Sequence, residues 1–373
     1  MNWMDVLATA TSADRLRSDL AGRYPEFGQD RLKECVMIGA AAEGERMCGL
    51  ASALGLRILA VVDDDPAKAG CTMPGGVKVG SKIPEGIDPR TPIVIASHRV
   101  LDATMRLQRE GRPHVLGSGV LQTIDPKRFP PHSFYTNWLE DIVANAEKYR
   151  QAYDVLADER SRDIFAAILG YRISGDIGEL GPFVDRILFY PQEIFAFGCH
   201  EVYVDAGCFT GDTIELFIER TEDAFDRIIG FEPDPSNFGE LSKRLGNERR
   251  IELKCMGLYS DKRTLCFAGS HGRAAGLSDA GDIRVDVSSI DVELKEDRTT
   301  FIKMNIEGAE LAALEGGRRN IAKWKPKLCV SGYHVASHLW QVPLLIKDIS
   351  ADYRIFLRQH DGGVIESTFY GVL

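Results

Sequence analysis

Two stretches of this chain alternate short apolar runs with amphipathic segments, and a purely helical pattern separates them. After an amphipathic opening helix, Glu34 to Ile38 reads as a buried strand, followed by the turn Gly39-Ala-Ala-Ala-Glu-Gly44 and a helix through Leu54. A second strand, Arg57 to Val62, runs into Asp63-Asp64-Asp65-Pro66, and a third, Pro92 to Ala96, precedes a helix from Val100 to Arg109. The alternation predicts a small parallel α/β domain over residues 1–125. Over residues 126–195, Trp138, Ile142, Ala146, Tyr149, Tyr153 and Leu156 recur at helical spacing and a further helix covers Arg162 to Leu169, which predicts a helical connector. The aromatic stripe reads as a core face joining the domains, with a substrate-lining role as its alternative.

The alternation resumes in residues 196–373. Strands are expected at Glu201–Asp205, Arg227–Phe231, Ile251–Met256, Phe301–Asn305 and Lys327–Ser331, with helices after Gly211, over Ala309–Lys323 and over Leu339–Ile349. Two closing strands, Tyr353–Arg358 and Glu366–Val372, flank Asp361-Gly362-Gly363, a hairpin signal that places the last strand antiparallel on a parallel sheet.

Composition narrows the function classes. The 373 residues suit two or three domains, and 44% hydrophobic with 27% charged residues is the balance of a soluble globular protein. A formal charge of -10 opposes contact with a polyanion, so no nucleic-acid partner is expected, and short basic runs such as Arg318-Arg319 read as solvated faces. Met1 to Ala10 lacks a basic region leading into an apolar stretch, and no segment reaches bilayer-spanning length, so a cytoplasmic location without membrane contact is expected. Eight cysteines without a C-x-x-C pair argue against a zinc site or a disulfide framework.

The chemistry concentrates after Glu201. Val202-Tyr-Val-Asp-Ala-Gly-Cys-Phe-Thr-Gly-Asp212 puts an acid at a strand tip and Gly207 and Gly211 in the turn before a helix, whose N-terminal N–H groups suit a carboxylate or phosphate. Ile228-Ile-Gly-Phe-Glu-Pro-Asp234 adds Glu232 at the end of the next strand, where a carboxylate accepts both hydroxyls of an unphosphorylated ribose.

Together with Val204-Asp-Ala-Gly-Cys-Phe-Thr-Gly-Asp-Thr213, Gly230-Phe-Glu-Pro-Asp234, Ser289-Ile-Asp291 and Phe301-Ile-Lys-Met-Asn-Ile-Glu-Gly-Ala-Glu310, these residues resemble the FkbM family of methyltransferases over the last half of the chain. The resemblance implies an α/β fold with a class I methyltransferase Rossmann-like sheet, and S-adenosylmethionine as cofactor. It implies that Asp205, Gly207, Thr210, Gly211 and Asp212 embrace the methionine part, that Glu232 and Asp234 lie at the ribose, and that Leu258 borders the adenine. Lys303 and Glu307 would then edge the methyl-transfer site. The family usually has Asp where this chain has Asn305, and an amide is neither a general base nor a good ligand for a hard cation, so no metal is expected. His334, at a predicted strand end, is the candidate base, with His271, His338 and His360 as weaker alternatives. Glu307 and Glu310 form an i,i+3 pair at a helix start, read as capping or as contact with ligand.

The N-terminal domain is similar to the nucleotide-sugar-binding domain of some bacterial sugar acyltransferases, on few residues. Gly39 and Gly44 could cradle phosphate and Asp63 meet a ribose, but Ala40, Ala41 and Ala42 dilute the glycine signature, which favours a scaffold or oligomerisation domain. The reading for the chain is an O-methyltransferase for a small hydroxyl-rich acceptor such as a sugar, nucleotide-sugar, glycan or natural-product precursor, with a homo-oligomer possible in principle. Its rivals are N- or carboxyl-methylation, a non-catalytic nucleotide- or sugar-binding protein, and NAD-dependent oxidoreduction.

Overall fold

The computed structural model describes residues 3–186, 188–267, 283–363 and 365–373. The chain forms two compact units. Unit 1 comprises Met1–Arg150, Asp163–Asp185 and Gln359–Ile365, and unit 2 comprises Gln151–Arg162, Arg186–Arg358 and Glu366–Leu373. The helices expected as a connector are Trp138–Ala144, Ala146–Asp154 and Glu159–Ser174, and they are shared out between the units. Trp138, Ile142, Tyr149 and Leu156 are buried, with the Trp138 ring edge-on to Tyr135 and Tyr171, so these four pack as core, while Ala146 and Tyr153 of the same stripe are half-buried.

Unit 1 is built on five strands: β1 (Glu34–Ile38), β2 (Arg57–Val62), β3 (Val79–Gly80), β4 (Ile93–Ile95) and β5 (Val115–Gly117). Their order is β3-β2-β1-β4-β5 and every pair is parallel. The strand order therefore switches sides between β1 and β4, and in open α/β sheets the carboxyl ends of the strands at such a point are where ligands bind. Strands β3 and β5 escape a reading by pattern because two or three residues carry no measurable periodicity.

Unit 2 carries β6 (Glu201–Ala206), β7 (Phe225–Phe231), β8 (Ile251–Lys254), β9 (Gly257–Leu258), β10 (Arg263–Phe267), β11 (Ile283–Ser288), β12 (Phe301–Met304), β13 (Lys327–Ser331), β14 (Arg354–Gln359) and β15 (Ser367–Val372). Its main sheet runs β14-β15-β13-β12-β6-β7-β8, with β8, β7, β6, β12 and β13 parallel and β15 antiparallel to β13. This is the mostly parallel sheet with an antiparallel last strand that the sequence pattern predicts. Strands β9, β10 and β11 form a small separate sheet. The helix expected over Ala309–Lys323 is two helices, Glu310–Gly316 and Arg318–Trp324. Gly316-Gly317 interrupts the first, and the Asp291 carboxylate accepts from the Arg319 and Asn320 backbone N–H groups at 3.0 and 2.8 Å, capping the second.

Strands β6, β7, β12 and β13 of the main sheet are buried over most of their length, and apart from Asp205 and Lys303 their buried stretches are largely apolar. One face packs on an aromatic cluster in which Phe217 lies 4.4 Å from Tyr203 and 5.0 Å from Phe197, ring centre to ring centre, with Phe301 beyond. Each ring is held by several others, so truncation leaves a void that the neighbours cannot close. Phe217→Ala is expected to lower the stability of unit 2 by about 3 to 5 kcal/mol, read as a shift of its denaturant midpoint without a change in slope.

Candidate functional site

The glycine turn after β6 is latched from below. Gly207 has φ +82°, and a Cβ there would stand 2.2 Å from the Asn305 carbonyl oxygen, so the turn rests directly on the backbone that leaves β12. Its N–H donates to the Phe231 carbonyl at 2.9 Å. Lys303, buried in the middle of β12, donates from Nζ to Asp205 Oδ1 and to the Gly207 carbonyl, both at 2.8 Å. The Thr213 hydroxyl donates to Asp205 Oδ2 from the first turn of the helix Asp212–Arg220. Burial works to depress the Lys303 pKa, but the Asp205 carboxylate and its hydrogen bond outweigh this and hold it above the usual lysine value. The sequence reading puts Asp205 in contact with the cofactor and Lys303 at the reaction edge. The structure puts both side chains beneath the turn, 0% and 1% exposed, with their polar atoms bound to each other and to the turn.

Glu232, just past β7, faces the turn from the side. Oε2 accepts from the Phe209 N–H at 2.8 Å, and Oε1 accepts from the Asp234 N–H at 3.0 Å and the Asn237 amide at 3.5 Å. Burial pushes its pKa up while these backbone donors pull it down, and burial prevails. A carboxylate accepts about four hydrogen bonds, so it retains capacity for a ligand's hydroxyl. Asp234 caps the helix Pro235–Leu245, accepting from the Ser236 and Asn237 N–H groups at 2.8 and 2.9 Å. Thr210 is anchored by Arg244, which donates to its carbonyl at 2.7 Å and its hydroxyl at 3.2 Å. Gly211 precedes the helix, Asp212 is exposed at its start, and Leu258 is buried in β9. The sequence reading did not single out Phe209, which takes a left-handed backbone at φ 52° with its side chain exposed on the turn. That conformation costs a phenylalanine about 1 kcal/mol or more, and nothing in residue type announces it.

A second group assembles at the ends of β12 and β13. Glu310, fully buried, reaches back to accept from the Ile306 and Gly308 N–H groups at 2.8 and 3.1 Å. His334 Nδ1 lies 2.8 Å from Glu310 Oε1, His338 Nδ1 lies 3.4 Å from Oε2, and His334 Nε2 lies 3.7 Å from Glu307 Oε2. The Tyr333 hydroxyl donates to Asn305 Oδ1 at 3.3 Å, and the Tyr333 and His334 rings are 4.2 Å apart. Burial pushes the Glu310 carboxyl up, but the two histidines outweigh it and bring its pKa to about 2. Burial likewise pulls His334 down, and Glu310 with Glu307 outweighs that and raises it above 6.5. The structure thus brings Asn305, Glu307, Glu310 and His334 together, with His338 on the same carboxylate. His360 belongs to unit 1, with Nδ1 2.6 Å from the Asp185 carbonyl, and His271 lies outside the described residues. Among the described residues no group of three or more His, Cys, Asp or Glu side chains is arranged to hold a metal ion.

The signs of these shifts set a stability window. Glu310, with its folded pKa depressed, contributes stability that is present above the ordinary value of 4.5 and lost as pH falls towards about 2. His334, with its folded pKa raised, contributes stability that is present below 6.5 and lost as pH climbs through its folded value. Melting temperature against pH should therefore fall on both sides for the wild type, and Glu310→Gln should flatten both limbs while lowering the plateau between them.

Residues 205–360 match the family model described as the methyltransferase FkbM domain. A search of curated proteins gives no match. Among solved structures, the chain resembles the methyltransferase FkbM of Methylobacillus flagellatus KT at 23% identity and a TM-score of 0.75, over 99% of each chain. Fibrillarin of Aeropyrum pernix, solved with natively bound S-adenosyl-L-methionine, aligns at 12% identity and a TM-score of 0.31, over 47% of this chain and 69% of that one. An rRNA methylase of Streptococcus thermophilus aligns at 15% identity and a TM-score of 0.30, over 47% and 87%. Residues 205–360 thus match the methyltransferase FkbM domain, and the chain shares its fold with an FkbM methyltransferase.

Proposed function

We propose that unit 2 binds S-adenosylmethionine at the turn after β6 and methylates a hydroxyl of a small hydroxyl-rich acceptor. The observation that carries this reading is the pairing of Glu232 with the Gly207–Gly211 turn through the Phe209 N–H, at the ends of adjacent parallel strands. The residues fit the cofactor: the helix N-terminus at Asp212 suits a carboxylate, and Glu232, with accepting capacity left over from its backbone donors, suits ribose hydroxyls. When bound, the cofactor supplies a methyl group made electrophilic by its sulfonium.

The chain's own residues then have to orient an acceptor and remove its proton. His334 is the candidate base. Glu310 fixes its Nδ1 side, which leaves Nε2 as the nitrogen that would take a proton, on the side of Glu307. Asn305, held by Tyr333, presents an amide suited to positioning a hydroxyl. Glu307 and Glu310 place negative charge where a sulfonium is favoured over an anion. Since Asn305 replaces the carboxylate expected at that position, the chemistry proposed needs no divalent cation.

Glu232→Gln should weaken S-adenosylmethionine binding about tenfold to a hundredfold, measured by calorimetry on the folded variant, and an unchanged affinity would remove Glu232 from the site. His334→Ala should lower kcat by about a hundredfold to ten-thousandfold with little change in cofactor affinity. Because its pKa is raised, the neutral imidazole grows as pH rises above 6.5, so wild-type kcat should climb with pH through that region and the variant's should not. A chelator that abolishes activity would contradict the metal-free chemistry, and product mass with fragmentation decides between oxygen, nitrogen and carboxyl as the methylated group.

A further inference from the structure

Unit 1 repeats much of the strand-end backbone of unit 2, with the turn N–H that meets the acid one residue after the glycine rather than two. At the end of β1, Gly39 has φ +101°, and its N–H donates to the Val62 carbonyl at 2.8 Å, as Gly207 donates to Phe231 at 2.9 Å. A Cβ on Gly39 would stand 2.6 Å from the Ala96 carbonyl oxygen just past β4, as one on Gly207 would meet Asn305 just past β12. The next residue after β2 is Asp63. Its Oδ2 accepts from the turn N–H of Ala40 at 2.7 Å and its Oδ1 from the N–H of Asp65, two residues on, at 2.9 Å. Glu232 makes the same pair of bonds with Phe209 and Asp234. Asp65 then caps the turn that starts with Pro66, as Asp234 caps the helix that starts with Pro235.

The differences lie in charge. Five residues after the strand-end acid, unit 2 has Asn237 and unit 1 has Lys68, whose Nζ is 3.0 Å from Asp63 Oδ2. Past the fourth strand, unit 2 has Glu307 two residues after Asn305, and unit 1 has His98 and then Arg99 after Ala96. His98 and Arg99 are exposed; Asp361 Oδ2 stands 4.0 Å from His98 Nε2, and Arg99 has no ion-pair partner among the described residues. The nearest acid on the turn, Glu43, is tied to Arg46 at 2.8 Å and Gln122 at 2.6 Å. Where unit 2 has an amide and a carboxylate beside its strand-end acid, unit 1 has Lys68 and the His98-Arg99 pair, a set that suits an anionic ligand better than a sulfonium.

We propose that unit 1 binds a ribonucleoside diphosphate at the carboxyl edge of its sheet. Asp63 accepts ribose hydroxyls, and the start of the helix Ala42–Ala53, with His98 and Arg99, takes the phosphates. The ribose assignment rests on the reading of Glu232 in unit 2, while the phosphate assignment rests on the charge reversal alone.

The test is calorimetric titration of the full chain with ADP, UDP, GDP and CDP in turn, with and without saturating S-adenosylmethionine. At least one should bind with 1:1 stoichiometry in both conditions. Asp63→Asn should weaken it about tenfold or more, and the exposed pair His98→Ala with Arg99→Ala should do the same without changing the melting temperature. Glu232→Gln should leave it unchanged. The proposal is overturned if no diphosphate binds tighter than about 1 mM, if the unit 1 variants bind like wild type, or if S-adenosylmethionine or Glu232→Gln removes the binding, which would place the nucleotide in unit 2. Diphosphate binding that responds to Asp63 in a protein that does not bind S-adenosylmethionine would refute the methyltransferase reading and leave this one standing.

Discussion

The buried ion pair between Lys303 and Asp205 is the constraint on which the rest of the site depends. Removing an ammonium and a carboxylate from water costs several kcal/mol each, and the loss is recovered only if the partners meet with good geometry and their remaining valences are filled. Here the filling is supplied by the structure around them: Thr213 completes Asp205, and the Gly207 carbonyl completes Lys303. The pair can form only when β6 and β12 lie side by side in register, which they do with Lys303 opposite Asp205. Register, turn and helix start are thereby fixed together, and a glycine with no side chain of its own is held at a definite height above the sheet.

A second buried charge group organises the other side of the site by a different route. Glu310 has no cation of fixed charge to neutralise it; it has two backbone N–H donors and two imidazoles. Its negative charge is thereby made permanent down to low pH, and that charge in turn holds a proton on its histidines more firmly than water would. The loop from Asn305 to Gly308 is tied to the same carboxylate, so that loop and His334 share one anchor.

Both units build the carboxyl edge of their sheet from backbone first. A glycine just past the first strand, a carboxylate just past the second and an Asp-Pro step after it recur in each, and the side chains that differ are the ones that set charge. Since the fold repeats and the charges do not, the chemistry of each edge has to be argued from its own residues.

Most strands and helices of the two sheets were legible in the sequence, because burial on one or both faces imposes a period that survives in residue types. So were the place of the Gly207 turn after β6 and of Glu232 after β7, since glycine and an acid stand out at the end of an apolar run. Strands of two or three residues, the break at Gly316-Gly317 and the left-handed Phe209 were not legible, because each is imposed by neighbours distant in the chain. Only the tertiary structure showed that Asp205 and Lys303 lie beneath the turn, because a charged residue in a motif reads the same whether it faces a ligand or a buried partner. The pairing of Glu310 with His334 and His338 was hidden for the same reason. The sequence by itself determined which residue types stand at the strand ends, and the packing of β6 against β12 and of residues 305–310 against His334 decided which of them are buried against one another and which stay at the edge of the sheet.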